Sequence, residues 1–267
     1  MKARLISLVA VLILWWIGSL IASATSVPSP SLVVRDFLEL MREGELPEAM
    51  RFSLKALAYG GGLSIGLGIP LGILMGVFRP LAQALEHYFT ALYVIPMSAV
   101  VPLMVLWFGI DINPTTISIL TLEIPLTPRV VFILIFTIPV VVITCYHGAK
   151  DIPYDLVEVA RAFRANRLQI FFKVLIPHEI PFIITALRLG VGRSIQGMVV
   201  AELLMGGTGT SGVGTLIHRF SAALEFSKML AIVLFIMLLG IGATAIVRWF
   251  ENAIAPWRRG LVSESRE

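Results

Sequence analysis

Three ionisable side chains interrupt an otherwise apolar stretch between Ile180 and Met205: Arg188, Arg193 and Glu202. Charges at membrane depth are costly and face protein or water rather than lipid. At 100° per residue, Arg188 and Glu202 fall on nearly one helix face, about 21 Å apart along the axis. Arg193 points roughly the other way. Such residues line a polar translocation path or gate, or they bond a neighbouring helix. Arg188 has a third option, snorkelling to a membrane surface. Reaction chemistry finds no footing. His87, His147, His178 and His218 are scattered without metal-ligand spacing, and no nucleophile elbow or paired-carboxylate constellation stands out. The sole cysteine, Cys145, excludes an intramolecular disulfide. No G-x-x-x-x-G-K-[ST] loop occurs, so no ATPase site, catalytic residue, metal or bound cofactor is expected in this chain. Gly207-Thr208-Gly209-Thr210-Ser211-Gly212 matches G-x-G-x-x-G, but a dinucleotide fingerprint needs a preceding strand. Here the glycines are expected to form a re-entrant turn.

The elements that position these residues follow from composition. Of 267 residues, 57% are hydrophobic and 14% charged, and the mean hydropathy is +0.90. Soluble domains carry about 25% charged residues, so a soluble globular domain is excluded. No Lys, Arg, Asp or Glu occurs in 5–34, 56–78, 88–110, 130–149 or 229–247. Each gap accommodates the ~20 helical residues that cross a bilayer core. With 180–205 they predict six transmembrane helices in an all-α polytopic protein. Strict alternation, the mark of a β-barrel, is missing. The pI of 9.5 reflects basic cytoplasmic flanks rather than a nucleic-acid partner.

With the N-terminus inside, twelve Lys and Arg fall in inner segments and seven in outer ones. This bias predicts a plasma-membrane protein with both termini cytoplasmic. Ala22-Ser23-Ala24 fits a signal-peptidase pattern, but the apolar core before it exceeds the usual 7–15 residues, and a retained helix is favoured. Residues 35–55 read as an amphipathic extracytoplasmic helix; the apolar stretch Ile112 to Leu122 is too short to span, and Asp111–Arg129 reads as an outer surface segment. Gly68, Gly72 and Gly76, with Gly62 and Gly66, read as a close-packing face suited to self-association. Pro70 lies among them; Pro96 and Pro102 lie in the third span and suit kinks along a path. Three regions result: 1–52, an N-terminal helix and extracytoplasmic segment; 53–250, a core of five spans; and 251–267, a cytoplasmic tail.

Lys150 to Glu179 is amphipathic and charged. Acids near Tyr154 start a helix, Leu156, Val159, Ala160 and Phe163 recur at helical spacing, and Pro177 is expected to end the stretch. Such an insertion either docks a soluble partner or lies on lipid head groups.

Glu158-Val159-Ala160-Arg161-Ala162-Phe163-Arg164-Ala165, followed by Val174-Leu175-Ile176-Pro177, resembles the EAA signature of bacterial ABC importer permeases. The spacing from Glu158 to Pro177 matches. The departures are Val159 for an alanine, Arg164 for the glycine that turns between two short helices, and Val174 and Ile176. Residues 95–103 and 106–110, the segments around Arg188, Arg193 and Glu202, Gly212 to Ile217, and Glu251 to Arg258 resemble the nitrate/sulfonate/taurine branch. The Asp111–Arg129 loop is longer than is usual there.

The resemblance implies a type I importer permease fold and a small, anionic solute. It implies two permease copies, a cytoplasmic ATPase subunit that uses ATP, and an extracytoplasmic solute-binding protein. Glu158, Ala160, Arg161 and Arg164 would form the ATPase-coupling loop, with Pro177 fixing its exit. Arg188, Arg193, Glu202, Pro96 and Pro102 would be pathway or helix-packing residues. The competing reading is a secondary transporter or channel without an ATPase. It leaves the 150–179 spacing unexplained, and no inverted repeat is visible.

Overall fold

A computed structural model describes residues 2–21, 27–108, 115–119, 122–205 and 212–254. The order is α1 (Lys2–Ile21), α2 (Pro30–Arg42), α3 (Glu45–Val77), α4 (Arg79–Val94), α5 (Met97–Phe108), β1 (Thr115–Ile119), β2 (Leu122–Leu126), α6 (Pro128–Lys150), α7 (Tyr154–Ala162), α8 (Arg167–Ile170), a π-helical turn (Phe171–Leu175), α9 (Ile176–Met205), α10 (Val213–Ala222) and α11 (Phe226–Ile254).

By length and apolarity, α3, α6, the run Arg167–Met205 and α11 can each cross a membrane. α4 and α5 would make a fifth crossing as a bent pair, and the 20-residue α1 is the sixth candidate. The third expected span is not one straight helix: the pair bends by 108°. The cause is Pro96. It lacks an N–H and drives the preceding residue out of the α region, and Ile95 accordingly has ψ 131°. By contrast Pro70, Pro102, Pro139 and Pro181 lie inside helices.

Two features depart from the sequence reading. Within 111–129, β1 and β2 pair antiparallel, Thr115 opposite Leu126 and Ile119 opposite Leu122, the exception to otherwise helical elements among the described residues. Thr127 then caps α6, its hydroxyl accepting the Val130 N–H at 3.3 Å, with Pro128 at the first helical position. Second, α3 starts at Glu45 and runs unbroken for 33 residues. The amphipathic segment is therefore divided between α2 and the first turns of α3, and position 52 falls inside a helix.

The described residues form two compact units, one drawn from Met1–Lys55 and Val199–Leu239, the other from Ala56–Met198 and Gly240–Glu267. In the first, Ser29 caps α2, whose apolar side buries Val33 and Leu40. The Phe37 and Phe235 rings meet at 5.9 Å, Lys228 lies 3.8 Å from Glu39, and Arg219 pairs with Glu45.

In the second unit α3, α6 and α9 pack through small residues. A Cβ on Gly60 would meet that of Ile133 at 2.7 Å, one on Gly68 would meet Val141 at 2.8 Å, and one on Gly72 would meet Cys145 at 2.8 Å. Gly76 lies against Ala149. Ser64 completes the four-residue spacing and donates to the Leu134 carbonyl at 3.2 Å. The Thr137 and Ser194 hydroxyls share a 3.2 Å bond, and Gly190 packs on Val141 and Ile65. In lipid, where apolar burial gives little drive, close backbones and such bonds hold helices together. Gly62 and Gly66 face open space. The two glycine repeats therefore form two faces, and the longer one is used within this chain. Ile73, Val141, Cys145, Leu175 and Ala186 make the apolar centre of this unit.

Candidate functional site

The 150–179 segment folds as a helical elbow at the foot of α6. There the Lys150 ammonium donates to the Tyr146 hydroxyl at 3.0 Å, which donates to Glu86 on α4 at 2.8 Å. α7 buries none of its residues. Tyr154, Leu156, Val159 and Phe163 are all exposed, Phe163 by 82%, and Glu158, Arg161 and Arg164 are exposed beside them. Ala160 is half-buried.

The backbone of the elbow is closed without help from these side chains. The Ala165 N–H donates to the Ala160 carbonyl at 3.0 Å and the Arg164 N–H to that of Arg161 at 2.8 Å. This is a Schellman motif, which places its C′ residue in the left-handed region. That residue is Arg164, at φ +57°. Thus arginine occupies the glycine position and adopts glycine's conformation, and the turn between the two helices is kept. Asn166 then opens α8 with a capping box. Its side chain accepts the Gln169 N–H and its own N–H donates to the Gln169 side chain, both at 2.8 Å.

Pro177 does not end the helix as its type suggests. The helical run continues from Arg167 to Met205, because the turn ahead of it is π-helical. There the Ile176 N–H reaches back five residues to the Phe171 carbonyl. Proline ordinarily clashes with the carbonyl four residues back, and a widened turn makes room for it.

The three charges of α9 have separate partners. Arg188 pairs with Glu251 on α11. Glu202, 1% exposed, accepts the Ser53 hydroxyl at 2.7 and 2.8 Å and the Gly214 N–H at 3.0 Å. Ser53 in turn accepts the Val213 N–H at 3.0 Å. Glu202 and Ser53 thereby satisfy the first turn of α10, where free N–H groups and the helix dipole attract a carboxylate. Gly212, just before that turn, lies against the Glu202 carboxyl where any side chain would clash. The other residues of the glycine-rich loop, and the tail beyond Ile254, lie outside the described residues.

Arg193 stacks on aromatic rings, 4.4 Å from the Phe136 centroid and 5.6 Å from that of Tyr93. Its Nη1 is 3.5 Å from the Gln196 amide oxygen, and its Nε is buried without a hydrogen-bond partner among the described residues. Pro96 and Pro102 are exposed. Ser53, Phe136, Tyr93 and Gln196 escaped the sequence reading, as did the pairing role of Glu251. So did Glu179, fully buried beside Gly148 and Phe182 with neither carboxylate oxygen bonded among the described residues.

Long apolar helices, a bent proline pair and an exposed two-helix elbow between spans define the membrane subunit of a transport system. A family model described as binding-protein-dependent transport system inner membrane component matches residues 68–256. The chain belongs to that family, as an ABC importer permease. It is 32% identical over 97% of its length, and 88% of the relative, to a putative aliphatic sulfonates transport permease protein, SsuC, of Bacillus subtilis. It is 31% identical to a nitrate import permease protein, NrtB, of Leptolyngbya laminosa, over 76% of this chain and 67% of that one. A formylaminopyrimidine transport permease protein, ThiX, of Halalkalibacterium halodurans is 27% identical over 93% of this chain and 92% of its own. Among solved structures, an inward-facing MetNI methionine ABC transporter chain superposes with a TM-score of 0.53 at 21% identity, covering 74% of this chain and 94% of that one. That likeness shows the fold.

Proposed function

We propose that this permease moves a small oxyanion solute, of the sulfonate or nitrate kind, inward across the plasma membrane by alternating access driven by a separate ATPase subunit. The observation that carries the reading is α7. It is an amphipathic helix with no buried residue, held out by a backbone-closed elbow at the EAA position. An apolar face left bare in this way suits a groove on a soluble partner. Glu158, Ala160, Arg161 and Arg164 make that contact, and Pro177 sets the exit into α9. Both termini are cytoplasmic, as the Lys and Arg distribution favours. A second permease copy and an extracytoplasmic binding protein complete the assembly. Residues 1–52 serve as an anchor and outer segment, 53–250 as the transporting core. The sulfonate and nitrate relatives support the solute class.

The test is purification from native membranes through a tag on this chain, followed by ATPase and uptake assays in proteoliposomes. An ATP-hydrolysing subunit is expected to co-purify. Glu158→Lys should abolish ATP-driven uptake while leaving the permease in the membrane. Normal uptake by that variant removes the docking assignment. Solute flux from a complex without an ATPase establishes a channel or secondary transporter instead.

A further inference from the structure

We propose that Arg193, held between Phe136 and Tyr93, is the subsite that takes the anionic group of the solute. This rests on the transport reading above and adds to it a residue and a ligand chemistry.

Of the three charges in α9, two are answered within the chain: Arg188 by Glu251, and Glu202 by Ser53 and the first turn of α10. Arg193 has no carboxylate partner among the described residues. Its company is two aromatic faces and one weak contact to Gln196. Stacking engages the π face of the guanidinium and leaves its in-plane N–H donors pointing outward. The Nε is buried and unbonded among the described residues, so the donors offered to a ligand are those of the two terminal nitrogens. A planar fork of donors matches a monovalent oxyanion, flat like nitrate or tetrahedral like a sulfonate, through paired N–H···O bonds. The aromatic stack fixes the fork in advance.

The position is accessible. Leu189, Gly192, Arg193 and Gln196 share a face of α9 at helical spacing. Leu189 is 45% exposed, Gln196 is exposed, and a Cβ on Gly192 would meet nothing within 4 Å. An arginine and an exposed glutamine in the middle third of a membrane span require water, protein or a ligand against them. A resident carboxylate would make Arg193 a structural pair. In its place stands an open face, so the cation is left for a passing anion to neutralise.

The test uses the complete transporter in proteoliposomes carrying Gln196→Cys, with the parent as control; the one native thiol, Cys145, is buried. A negatively charged methanethiosulfonate reagent is expected to label the new cysteine about tenfold faster than a positively charged one, as local potential raises counter-ion concentration. Ethanesulfonate and nitrate should protect it, and a neutral sulfone should not. Adding Arg193→Gln should bring the two rates together, whereas Arg193→Lys should keep their order. In uptake assays Arg193→Gln should lose ethanesulfonate transport and Arg193→Lys should retain it at a raised KM. Equal labelling rates in the native background, or no protection by either anion, overturn the subsite even if the arginine variants fail to assemble. Uptake of a neutral solute without anion protection leaves the importer reading standing and removes this one. Anion protection without ATP-driven uptake does the reverse.

Discussion

The Ser53 hydroxyl bridges both carboxylate oxygens of Glu202, at 2.7 and 2.8 Å, across 149 positions of sequence. The same serine oxygen accepts the Val213 N–H and the same carboxylate the Gly214 N–H. One buried knot thus ties α3 and the end of α9 to the start of α10. Glu202→Ala leaves the Ser53 hydroxyl and the Gly214 N–H buried without their acceptor, at about 1–3 kcal/mol each, so it should unfold at lower temperature in detergent. Ser53→Ala should cost about 1–3 kcal/mol. In a double-mutant cycle the two should couple by about 1 kcal/mol or more. Strict additivity would show that the bond contributes nothing to stability.

Arg164 at φ +57° pays a steric cost that glycine avoids. A non-glycine residue in the left-handed region is disfavoured by roughly 1–2 kcal/mol. Arg164→Gly should therefore strengthen the Schellman turn, seen as slower exchange of the Ala165 amide, with uptake retained. Arg164→Val should speed the same exchange. If Arg164→Gly tightens the turn yet lowers uptake, the guanidinium itself contacts the partner.

The faces of α3 predict opposite outcomes for equal changes. Gly72→Ala pushes a methyl into α6 at Cys145 and should cost about 1–3 kcal/mol through overpacking. Gly62→Ala meets nothing and should stay within about 0.5 kcal/mol. Thermal unfolding of the two variants in one detergent decides. A destabilised Gly62→Ala would mean that another surface covers that face.

Arg188 and Glu251 should respond to charge exchange. Arg188→Glu places two carboxylates together, and Glu251→Arg two guanidinium groups; each should lower the unfolding temperature. The double exchange restores opposite charge and should recover most of the loss, because residues in one ion pair are not additive. No recovery would mean that the pair's geometry, or another neighbour, matters more than its sign.

Much of the architecture was legible as local pattern. Charge-free runs located α1, α3, α6 and α11, the apolar stretch 180–205 with its three charges located α9, and the spacing from Glu158 to Pro177 located the elbow. What escaped was set by partners distant in sequence. Periodicity shows that Gly62, Gly66, Gly68, Gly72 and Gly76 are spaced for packing, but only α6 decides which of them touch anything. The role of Glu202 depends on Ser53, and that of Arg188 on Glu251, 63 residues away. Pro96 read as a kink and is a full break, while Pro177 read as a stop and is carried through by a π-helical turn. Both outcomes depend on backbone hydrogen bonds of neighbouring turns, which residue type alone does not specify. The paired strands 115–119 and 122–126 were hidden by an apolar run that reads equally as helix or strand.

Because α7 buries none of its side chains, and its turn is closed by main-chain bonds alone, its surface is free of folding constraint. Substitutions at such positions stay within about 0.5 kcal/mol of neutral. The residues proposed to meet another subunit can therefore be exchanged without touching the scaffold that presents them. On the docking contact proposed above, a chain built this way would be matched to a different partner by rewriting α7 and the turn residue Arg164, with the core left as it is.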